Sequence, residues 1–365
     1  HEQPEVREAA LNLLWFAYPG EEKVTEALLV ALGDSSESCR SFASLGLQMR
    51  GAKEVAPRLL EQLKSEEVNR RQGALKTLCV MGLGKKLGDY RPLVLRAAFP
   101  LLDDADPIVR AFAARTIADN EPSEEARLAL TERLADPVSE VRTASAKALG
   151  AFKKDASESI PALLSRLRLD SEPRVRAQAA DSLGQIESDP ETVVPELIEA
   201  LSAEDARVRR SAAQALGRFG DLARSAAEPV SKLLSEKKAS LRLHAALTLS
   251  KIGAVEALGA VNAALETETA PQVLAALQLA RAKLDPATLP FAVTALVAIL
   301  EGPKDSARVR AAESLGTLGP DAIAAAPALS ELLKGKSNGW VRASAATALG
   351  DLQGESEIPT LVAAL

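Results

Sequence analysis

The chain has 365 residues, of which 47% are hydrophobic and 26% are charged, and its formal net charge at pH 7 is −6. This balance is typical of a folded globular protein and excludes an intrinsically disordered one. The negative charge argues against a general nucleic-acid binder, and no apolar run approaches the roughly 20 residues that a membrane-spanning helix needs.

One helical pattern recurs along the whole chain, and its clearest copy is DARVRRSAAQALGRFG at 205–220. The apolar residues of this copy fit one face of a 3.6-residue helix and not the alternation of a strand. In chain order, the copies carry the apolar anchors Leu14, Leu47, Leu78, Ile117, Leu149, Leu183, Leu216, Leu249, about Ala280, Leu315 and Leu349, spaced 31 to 39 residues apart. Such a period indicates stacked repeats that bury their apolar faces against one another, so one solenoid over 1–365 is expected.

A second, shorter helix is predicted between successive copies of the pattern. Each of these segments contains a proline and a leucine-rich core, as in ESIPALLSRLRL at 158–169. The prolines are placed in the first turns of their helices, where a missing N–H costs little: Pro161, Pro195, Pro229 and Pro327. Each repeat is therefore predicted to be a helix pair with tight turns.

The ends of the long helices are predicted from their flanking residues. Asp205, Asp106 and Asp136 stand where N-caps belong, the last two directly before a proline. Gly220 and Gly253 follow the last turn of their helices, where C-terminal caps belong.

The regular pattern weakens in residues 254–302, where a change of curvature is expected because Val273 or Leu274, depending on register, replaces a recurring arginine. The chain starts at His1 and stops inside the segment EIPTLVAAL, and neither end carries the polar cap that a solenoid needs. The sequence is therefore expected to be an excerpt of a longer array, and the compartment stays open.

The pattern Asp…Val-Arg-x-x-Ala-Ala-x-Ala-Leu-Gly resembles HEAT repeats, specifically the short HEAT-like class also found in phycobilisome lyase subunits. The resemblance implies an all-α, right-handed solenoid of about eleven helix pairs. Ankyrin and tetratricopeptide repeats have a similar period, but their signatures T-P-L-H and W-x-x-L-G-x-x-Y are absent.

The resemblance also implies a structural role for the recurring arginine. In the family this arginine pairs with acidic caps between neighbouring repeats and forms a buried ladder, and a guanidinium fork is well suited to that task. The implied ladder residues are Arg7, Arg40, Arg71, Arg110, Arg142, Arg176, Arg209, Arg242, either Arg308 or Arg310, and Arg342.

No catalytic, cofactor or metal site is predicted, and the chain is not expected to be an enzyme. The two histidines, His1 and His244, are too few for a multi-histidine metal site, including the di-iron centre of HEAT-repeat hydroxylases. No nucleophile elbow occurs. Cys39 and Cys79 are interpreted as core thiols and not as a disulfide.

The concave side of the solenoid is the expected working surface, because curved stacks offer long grooves for extended or helical segments. On the long helix, the positions just after the arginine and three or four residues later should face this side. The candidate partner-binding residues are Phe112, Arg115, Lys147, Gln178, Arg210, Gln214, Arg218, His244 and Lys251.

These positions favour a non-catalytic scaffold for a protein partner that presents an acidic or helical segment. One alternative is a lyase- or chaperone-type subunit acting on a chromophore-bearing protein, which the resemblance suggests. Another is nucleic-acid binding through residues 205–253, which contain ten lysines and arginines but only four acidic residues.

Overall fold

A computed structural model describes residues 2–18, 20–83, 86–118, 122–335 and 337–352. These residues form twenty-one α-helices joined by turns and short 3₁₀ segments, without a β-strand. None of the helices within these ranges is both long and apolar enough to cross a bilayer. His1 and the helix predicted within EIPTLVAAL lie outside the described residues.

The chain divides into two compact units, His1–Ser188 and Asp189–Leu365. The helices of the first unit are α1 (Pro4–Ala17), α2 (Glu22–Ala31), α3 (Glu37–Gln48), α4 (Ala52–Gln62), α5 (Val68–Leu83), α6 (Arg91–Ala98), α7 (Pro107–Ala118), α8 (Glu124–Arg133), α9 (Ser139–Ala151), α10 (Ile160–Leu169) and α11 (Pro173–Ile186). Those of the second unit are α12 (Pro190–Ala200), α13 (Ala206–Phe219), α14 (Ala227–Lys232), α15 (Ala239–Ile252), α16 (Leu258–Thr267), α17 (Pro271–Leu284), α18 (Leu289–Leu300), α19 (Asp305–Leu318), α20 (Ala326–Lys334) and α21 (Gly339–Asp351).

Each unit has two layers of helices, and the odd-numbered helices are the eleven predicted copies of the pattern. Within a unit, consecutive odd helices pack side by side, as α7 does on α9 and α15 does on α17. Each even helix packs on the odd helix that follows it, as α10 does on α11 and α12 does on α13. The fold is therefore the all-α solenoid that the sequence predicts. The continuity of one array over 1–365 stays a prediction.

The core is built from the same positions of every odd helix, counted here from the recurring arginine, which we call the ladder position. The residues three, four, six and seven positions later are mostly alanine and leucine and are almost wholly buried. The anchors stand seven positions after the ladder position, and all but Leu14 are at most 1% exposed: Leu47, Leu78, Ile117, Leu149, Leu183, Leu216, Leu249, Leu315 and Leu349. In α17 this position holds Arg281, next to the predicted anchor Ala280.

Four of the five predicted caps are present, and one is not. Asp205 and Asp106 accept backbone N–H groups of the first turn, and Gly220 and Gly253 adopt positive φ after the last one. Asp136 is not an N-cap, because α9 begins only at Ser139 and Val138 takes the cap position.

The predicted start of α12 was also wrong. Pro195 lies inside this helix, and Pro190 occupies its first turn instead. Asp189 precedes that turn and caps the helix by accepting a hydrogen bond from the Thr192 N–H. The helix therefore begins about one turn before Pro195, the proline that was predicted to mark its start.

The recurring arginines form a ladder that joins consecutive helix pairs. Arg142 donates from Nε and Nη2 to the two carboxylate oxygens of Asp170, at 2.7 and 2.8 Å. Its Nη1 donates to the carbonyls of Asp136 and Pro137 in the turn before its own helix. Asp170 also accepts the N–H of Glu172, two residues on. One guanidinium thus ties its own turn to the turn of the next pair.

The same arrangement recurs in both units. The bidentate pairs are Arg7–Asp34, Arg71–Asp104, Arg110–Asp136, Arg142–Asp170 and Arg242–Glu268. A sixth pair, Arg209–Glu236, is joined at 3.2 Å. The ladder that the resemblance implied is therefore present, with the acid supplied by the turn before the next odd helix.

The ladder is interrupted where the chain lacks one of its two partners. Arg40 binds the carbonyls of Asp34 and Ser35 only, since Ser65 stands where the next turn would supply an acid. In α17 the ladder position holds Leu274. Its backbone N–H donates to the carbonyl of the N-cap residue Ala270, and the ladder arginines donate to the N-cap carbonyls of their own helices in the same way.

The ladder position of α19 belongs to Arg308, which settles the choice between two arginines. Arg308 donates to the Leu300 carbonyl and, at 2.9 Å, to the hydroxyl of Ser337. Arg310 instead pairs at 2.7 Å with Glu313 on its own helix.

Small residues let neighbouring odd helices approach closely. A Cβ added to Gly150 would lie 2.9 Å from both Cα and Oγ of Ser182 on the next odd helix. The Ser182 hydroxyl donates to the Ala146 carbonyl at 2.7 Å, and Thr248 makes the equivalent bond to Ala213 in the second unit. Both hydroxyls therefore make their hydrogen bonds across the helix interface, and they are small enough to leave the two backbones close together.

The ladder predicts a large penalty for Asp170→Asn. The Asp170 side chain is 1% exposed, so the change leaves the buried Arg142 charge without its carboxylate and should cost about 3–5 kcal/mol of unfolding free energy. Urea unfolding followed by circular dichroism measures this. The exposed Asp155→Asn is the matched control, and equal effects of the two changes would contradict the ladder's role.

Acid should remove the same stabilisation in the unchanged protein. Burial alone raises the pKa of Asp170, but the hydrogen bonds from Arg142 and the Glu172 amide outweigh it and hold the pKa below its ordinary value. A depressed native pKa stabilises the fold above the unfolded pKa of about 4, and this contribution disappears as the pH falls through the native pKa. The difference between wild type and Asp170→Asn should therefore shrink on going from pH 7 to pH 3.

Close packing predicts opposite outcomes for two glycine substitutions. Gly150→Ala forces the new methyl group onto the backbone of Ser182 and should destabilise the protein by about 1–3 kcal/mol. Gly259→Ala on α16 meets no described atom within 4 Å and should be neutral or stabilising by at most about 1 kcal/mol. Melting temperatures of the two variants test this, and a stabilised Gly150→Ala would refute the close approach.

Candidate partner-binding face

Side chains that the core and the ladder do not use lie on one side of the odd layer. They stand mainly two, five and nine residues after the ladder position, and most of them are half-buried or exposed. We call this surface the open face. The sequence predicts it from the helical period, and most of the candidate residues belong to it.

In the first unit, three predicted residues come together on the open face. The guanidinium carbon of Arg115 lies 5.2 Å from the centre of the half-buried Phe112 ring, a cation–π contact. Arg115 and Lys147, both exposed, line a small hollow of about 130 Å³ whose wall includes Cys79. Cys79 and Cys39 are buried and are not joined in a disulfide.

The hollow adjoins a larger groove whose lining comes from four odd helices. The groove has a volume of about 320 Å³ and is lined by Glu37, Arg40, Gln72, Gly73, Lys76, Ile108, Ala111, Phe112, Arg115 and Glu140. It shares Glu37 with a shallow hollow lined by Phe42 and Leu45 of α3. The open face of the first unit is thus a connected series of depressions over α3, α5, α7 and α9.

Several residues of this surface escaped prediction. Leu45, Met49 and Val80 are 44%, 66% and 39% exposed, and Phe42 and Lys76 are half-buried. They follow the ladder arginines of α3 and α5 by two, five or nine residues, as the predicted candidates do in later helices. The positional rule would have found them had it been applied to the weaker, N-terminal copies of the pattern.

Gln178 belongs more to the packing than to the groove. Its amide donates to the Ser182 hydroxyl at 3.3 Å, and Ser182 itself bonds the Ala146 carbonyl of the neighbouring odd helix. Gln178 is half-buried and does not line the hollows that Arg115 lines.

In the second unit, a polar and basic cluster surrounds His244. The amide nitrogen of Gln214 lies 3.3 Å from Nδ1 of His244. The pKa of His244 is lowered to about 4, first by burial and then by the positive charges of Arg210, Arg310 and Lys251. Of these cations, sequence reasoning missed only Arg310. Arg218, also predicted, is exposed on α13.

Fewer cations of the basic stretch 205–253 are available to bind an anionic partner than its composition indicates. At least four of its ten cations form ion pairs with carboxylates: Arg207–Asp205, Arg209–Glu236, Lys232–Glu228 and Arg242–Glu268. Two of these belong to the ladder. A continuous row of free cations for a nucleic-acid backbone is therefore not formed by this stretch.

Within the part of the chain that the structure describes, no group of three or more histidine, cysteine, aspartate or glutamate side chains is arranged to hold a metal ion. The chemistry on the open face is that of exposed apolar groups, amides, cations and a smaller number of carboxylates. Such groups bind by contact, charge and hydrogen bonding.

Known structures share this fold. A chain of the CpcE–CpcF complex of phycocyanin lyase from Nostoc sp. PCC7120 is 24% identical, with a TM-score of 0.52 over 67% of this chain and 94% of that one. YibA of E. coli is 17% identical, with a TM-score of 0.57 over 78% and 97%. A chain of the Kap95p–RanGDP complex is 16% identical, with a TM-score of 0.52 over 100% and 55%. At these identities the likeness is one of fold.

A family model supplies the closer assignment. No curated protein matches the chain. The model for HEAT repeats matches residues 95–184, 160–228, 194–281 and 293–365, which together make up most of the chain. With its ladder and paired helix layers, the chain belongs to the HEAT-repeat family.

Proposed function

We propose that this protein is a non-catalytic scaffold that binds an acidic, amphipathic segment of a protein partner on the open face of its first unit. The observation that carries the proposal is the meeting of exposed apolar side chains and cations in connected depressions. Within the depressions, Leu45 and Phe42 supply apolar surface and Lys76 and Arg115 supply charge. Met49 and Val80 are further exposed apolar side chains at equivalent positions of the open face. Clustered exposed apolar groups on a folded protein mark interaction sites.

Charge complementarity favours an acidic partner. The lining of the larger groove contains three cations, Arg40, Lys76 and Arg115, against two acids, Glu37 and Glu140. Lys147 adds a further positive charge in the adjoining hollow. This surface is positive although the chain as a whole carries a net charge of −6. Acidic side chains on a partner would therefore be steered toward it and held beside the apolar contacts.

The shape of the surface favours a segment and not a small molecule. The depressions are connected over α3, α5, α7 and α9 and are lined from several helices. An amphipathic helix laid in such a groove would place apolar anchors three or four residues apart. Arg115 is stacked on Phe112, so one of the cations is already oriented for contact.

A subunit that acts on a chromophore-bearing protein remains a second prediction from the sequence. The likeness to the phycocyanin lyase chain supports a common fold only. Such a subunit would also hold a protein partner, so the two functions differ in what happens after binding. Addition of a bilin-bearing protein to the purified chain, followed by absorption spectroscopy for a change of attachment, distinguishes them.

The proposal predicts that selection of random peptides against the full chain enriches acidic sequences with apolar residues three or four positions apart. Leu45→Asp should weaken the best peptide at least tenfold, or about 1.4 kcal/mol, because it removes an anchor and repels acidic side chains. Fluorescence anisotropy of the labelled peptide measures this loss. Leu128→Asp is the matched control, since Leu128 is 49% exposed but lies on α8 in the even layer.

Two results would overturn the proposal. One is the enrichment of basic peptides, or of none with an apolar pattern. The other is an equal loss of affinity in Leu45→Asp and Leu128→Asp. Circular dichroism of both variants establishes that they are folded before affinities are compared.

A further inference from the structure

Three cations of the open face occupy the same position of three consecutive odd helices. Lys76 of α5, Arg115 of α7 and Lys147 of α9 each stand five residues after the ladder arginine of their helix. Arg115 and Lys147 are exposed, and Lys76 is half-buried. Because α5 packs on α7 and α7 packs on α9, these side chains cross the odd layer in order. We call them the cationic row.

Two depressions of the open face connect the cationic row. Lys76 and Arg115 both line the groove of about 320 Å³, and Arg115 and Lys147 both line the adjoining hollow of about 130 Å³. Arg115 is therefore the boundary between the two. A ligand that lies across both depressions would meet the three charges one after another.

The charges of the cationic row are not neutralised within the chain. Lys76 donates from Nζ to the Ser41 hydroxyl at 3.4 Å, and Arg115 stacks on Phe112. Among the described residues, no carboxylate forms an ion pair with any of the three cations, although Glu37 and Glu140 line the same groove. The row thus differs from the ladder arginines, whose charges are satisfied by the next turn.

The neighbouring helices limit the cationic row to three positions. Five residues after the ladder arginine, α3 carries Leu45, which is 44% exposed, and α11 carries the half-buried Asp181. An aspartate repels acidic side chains, whereas an exposed leucine offers an apolar contact. The acidic part of a partner is therefore expected over α5, α7 and α9, and an apolar residue of the partner over α3.

The spacing of the odd helices sets the spacing of the charges that the row can meet. Packed helices lie roughly 8–10 Å apart, so neighbouring cations of the row are separated by about that distance. In an α-helix, side chains seven residues apart return to nearly the same face and lie about 10.5 Å apart along the axis. An α-helix with an acid at every seventh residue therefore matches the row.

Other backbone conformations match the row less well. In a β-strand, side chains on one face are two or four residues apart, which gives about 7 or 13 Å. A polyproline helix returns to the same face every third residue, at about 9 Å, but it binds in grooves lined by aromatic side chains. Among the described residues, Phe112 is the one aromatic side chain that lines these two depressions.

We propose that the cationic row binds an α-helical partner segment with three acidic side chains at seven-residue spacing. An apolar residue of the segment, beyond the acid that meets Lys76, contacts Leu45. This inference rests on the proposed function and specifies the partner further: the order of helices α5, α7 and α9 selects the register of the acids and not merely their presence.

Three synthetic peptides and the full chain test the spacing. The first is helical with glutamates at every seventh residue, and the second is an isomer with the same three glutamates at every fourth residue, about 6 Å apart on one face. The third is proline-rich with a glutamate at every third residue. Fluorescence anisotropy should show at least tenfold tighter binding of the first peptide than of either other. Circular dichroism establishes that the two isomers are equally helical.

The outcomes separate this inference from the proposed function. Equal or tighter binding of the isomer or of the proline-rich peptide would overturn the seven-residue register and leave an acidic partner in place. Failure of all three peptides to bind would also overturn it, and the random-peptide selection decides independently whether the surface takes acidic segments at all.

The central position of Arg115 gives a second test that does not depend on the direction of the peptide. Arg115→Gln should weaken the first peptide at least tenfold, and exchange of its middle glutamate for glutamine should then cause no further loss. Exchange of an outer glutamate should still weaken binding to this variant. Arg96→Gln is the matched control, an exposed cation on α6 in the even layer, and should bind as the unchanged protein does. Equal coupling of Arg115 to all three glutamates, or a loss in the control, would refute the register.

Discussion

The bidentate contact between an arginine and the carboxylate of the next turn is the interaction on which the rest of the structure depends. Packing of alanine and leucine faces is favourable but has little directional preference, so two helix pairs could slide against each other at small cost. The guanidinium fork removes that freedom, since its planar donors meet both oxygens of Asp170 while Nη1 holds two carbonyls of its own turn. Register between pairs is therefore set by hydrogen bonds.

A buried ion pair is weak evidence for net stability, because desolvation offsets much of the attraction. The ladder pair has a clearer effect on which geometry the helix pairs adopt. The carboxylate of each bidentate pair also accepts a backbone N–H of its own turn, as Asp170 does from Glu172. One side chain therefore shapes the turn and binds the neighbouring helix pair. An apolar substitute could fill the space but could not perform both tasks. We infer that the ladder persists because it specifies geometry.

Much of the fold could be predicted because the same helical pattern occurs eleven times in the sequence. The period gives the odd helices, and the alanine and leucine positions give the buried layer. The acidic partners were harder to predict, since their identity depends on turn geometry. Asp136 resembles a helix cap in sequence, yet its carboxylate binds Arg110 at 2.8 Å and the helix begins later. Pro195 resembles a helix start for a similar reason, since local chemistry permits both placements.

The candidate site could be predicted only in part, and the reason is physical. The helical period places Phe112 and Arg115 on the open face, but it does not say which faces meet. Arg310 of α19 helps to lower the pKa of His244 on α15, although α17 lies between these two helices. That relation spans three helices and is invisible to a pattern read within one helix. The weakest copies of the motif also carry part of the open face, since Leu45 of α3 is 44% exposed and lines one of the depressions.

The division of labour along each odd helix explains why the family assignment leaves function open. The ladder and core positions are constrained by contacts that every pair must make. The positions two, five and nine residues after the ladder make fewer of those contacts in most helices, so side chains of different chemistry fit there. In the first unit they hold Leu45 and Lys76, and in the second His244 and Lys251. Because the motif constrains one set of positions and binding uses the other, the two units can offer different chemistry on the same framework.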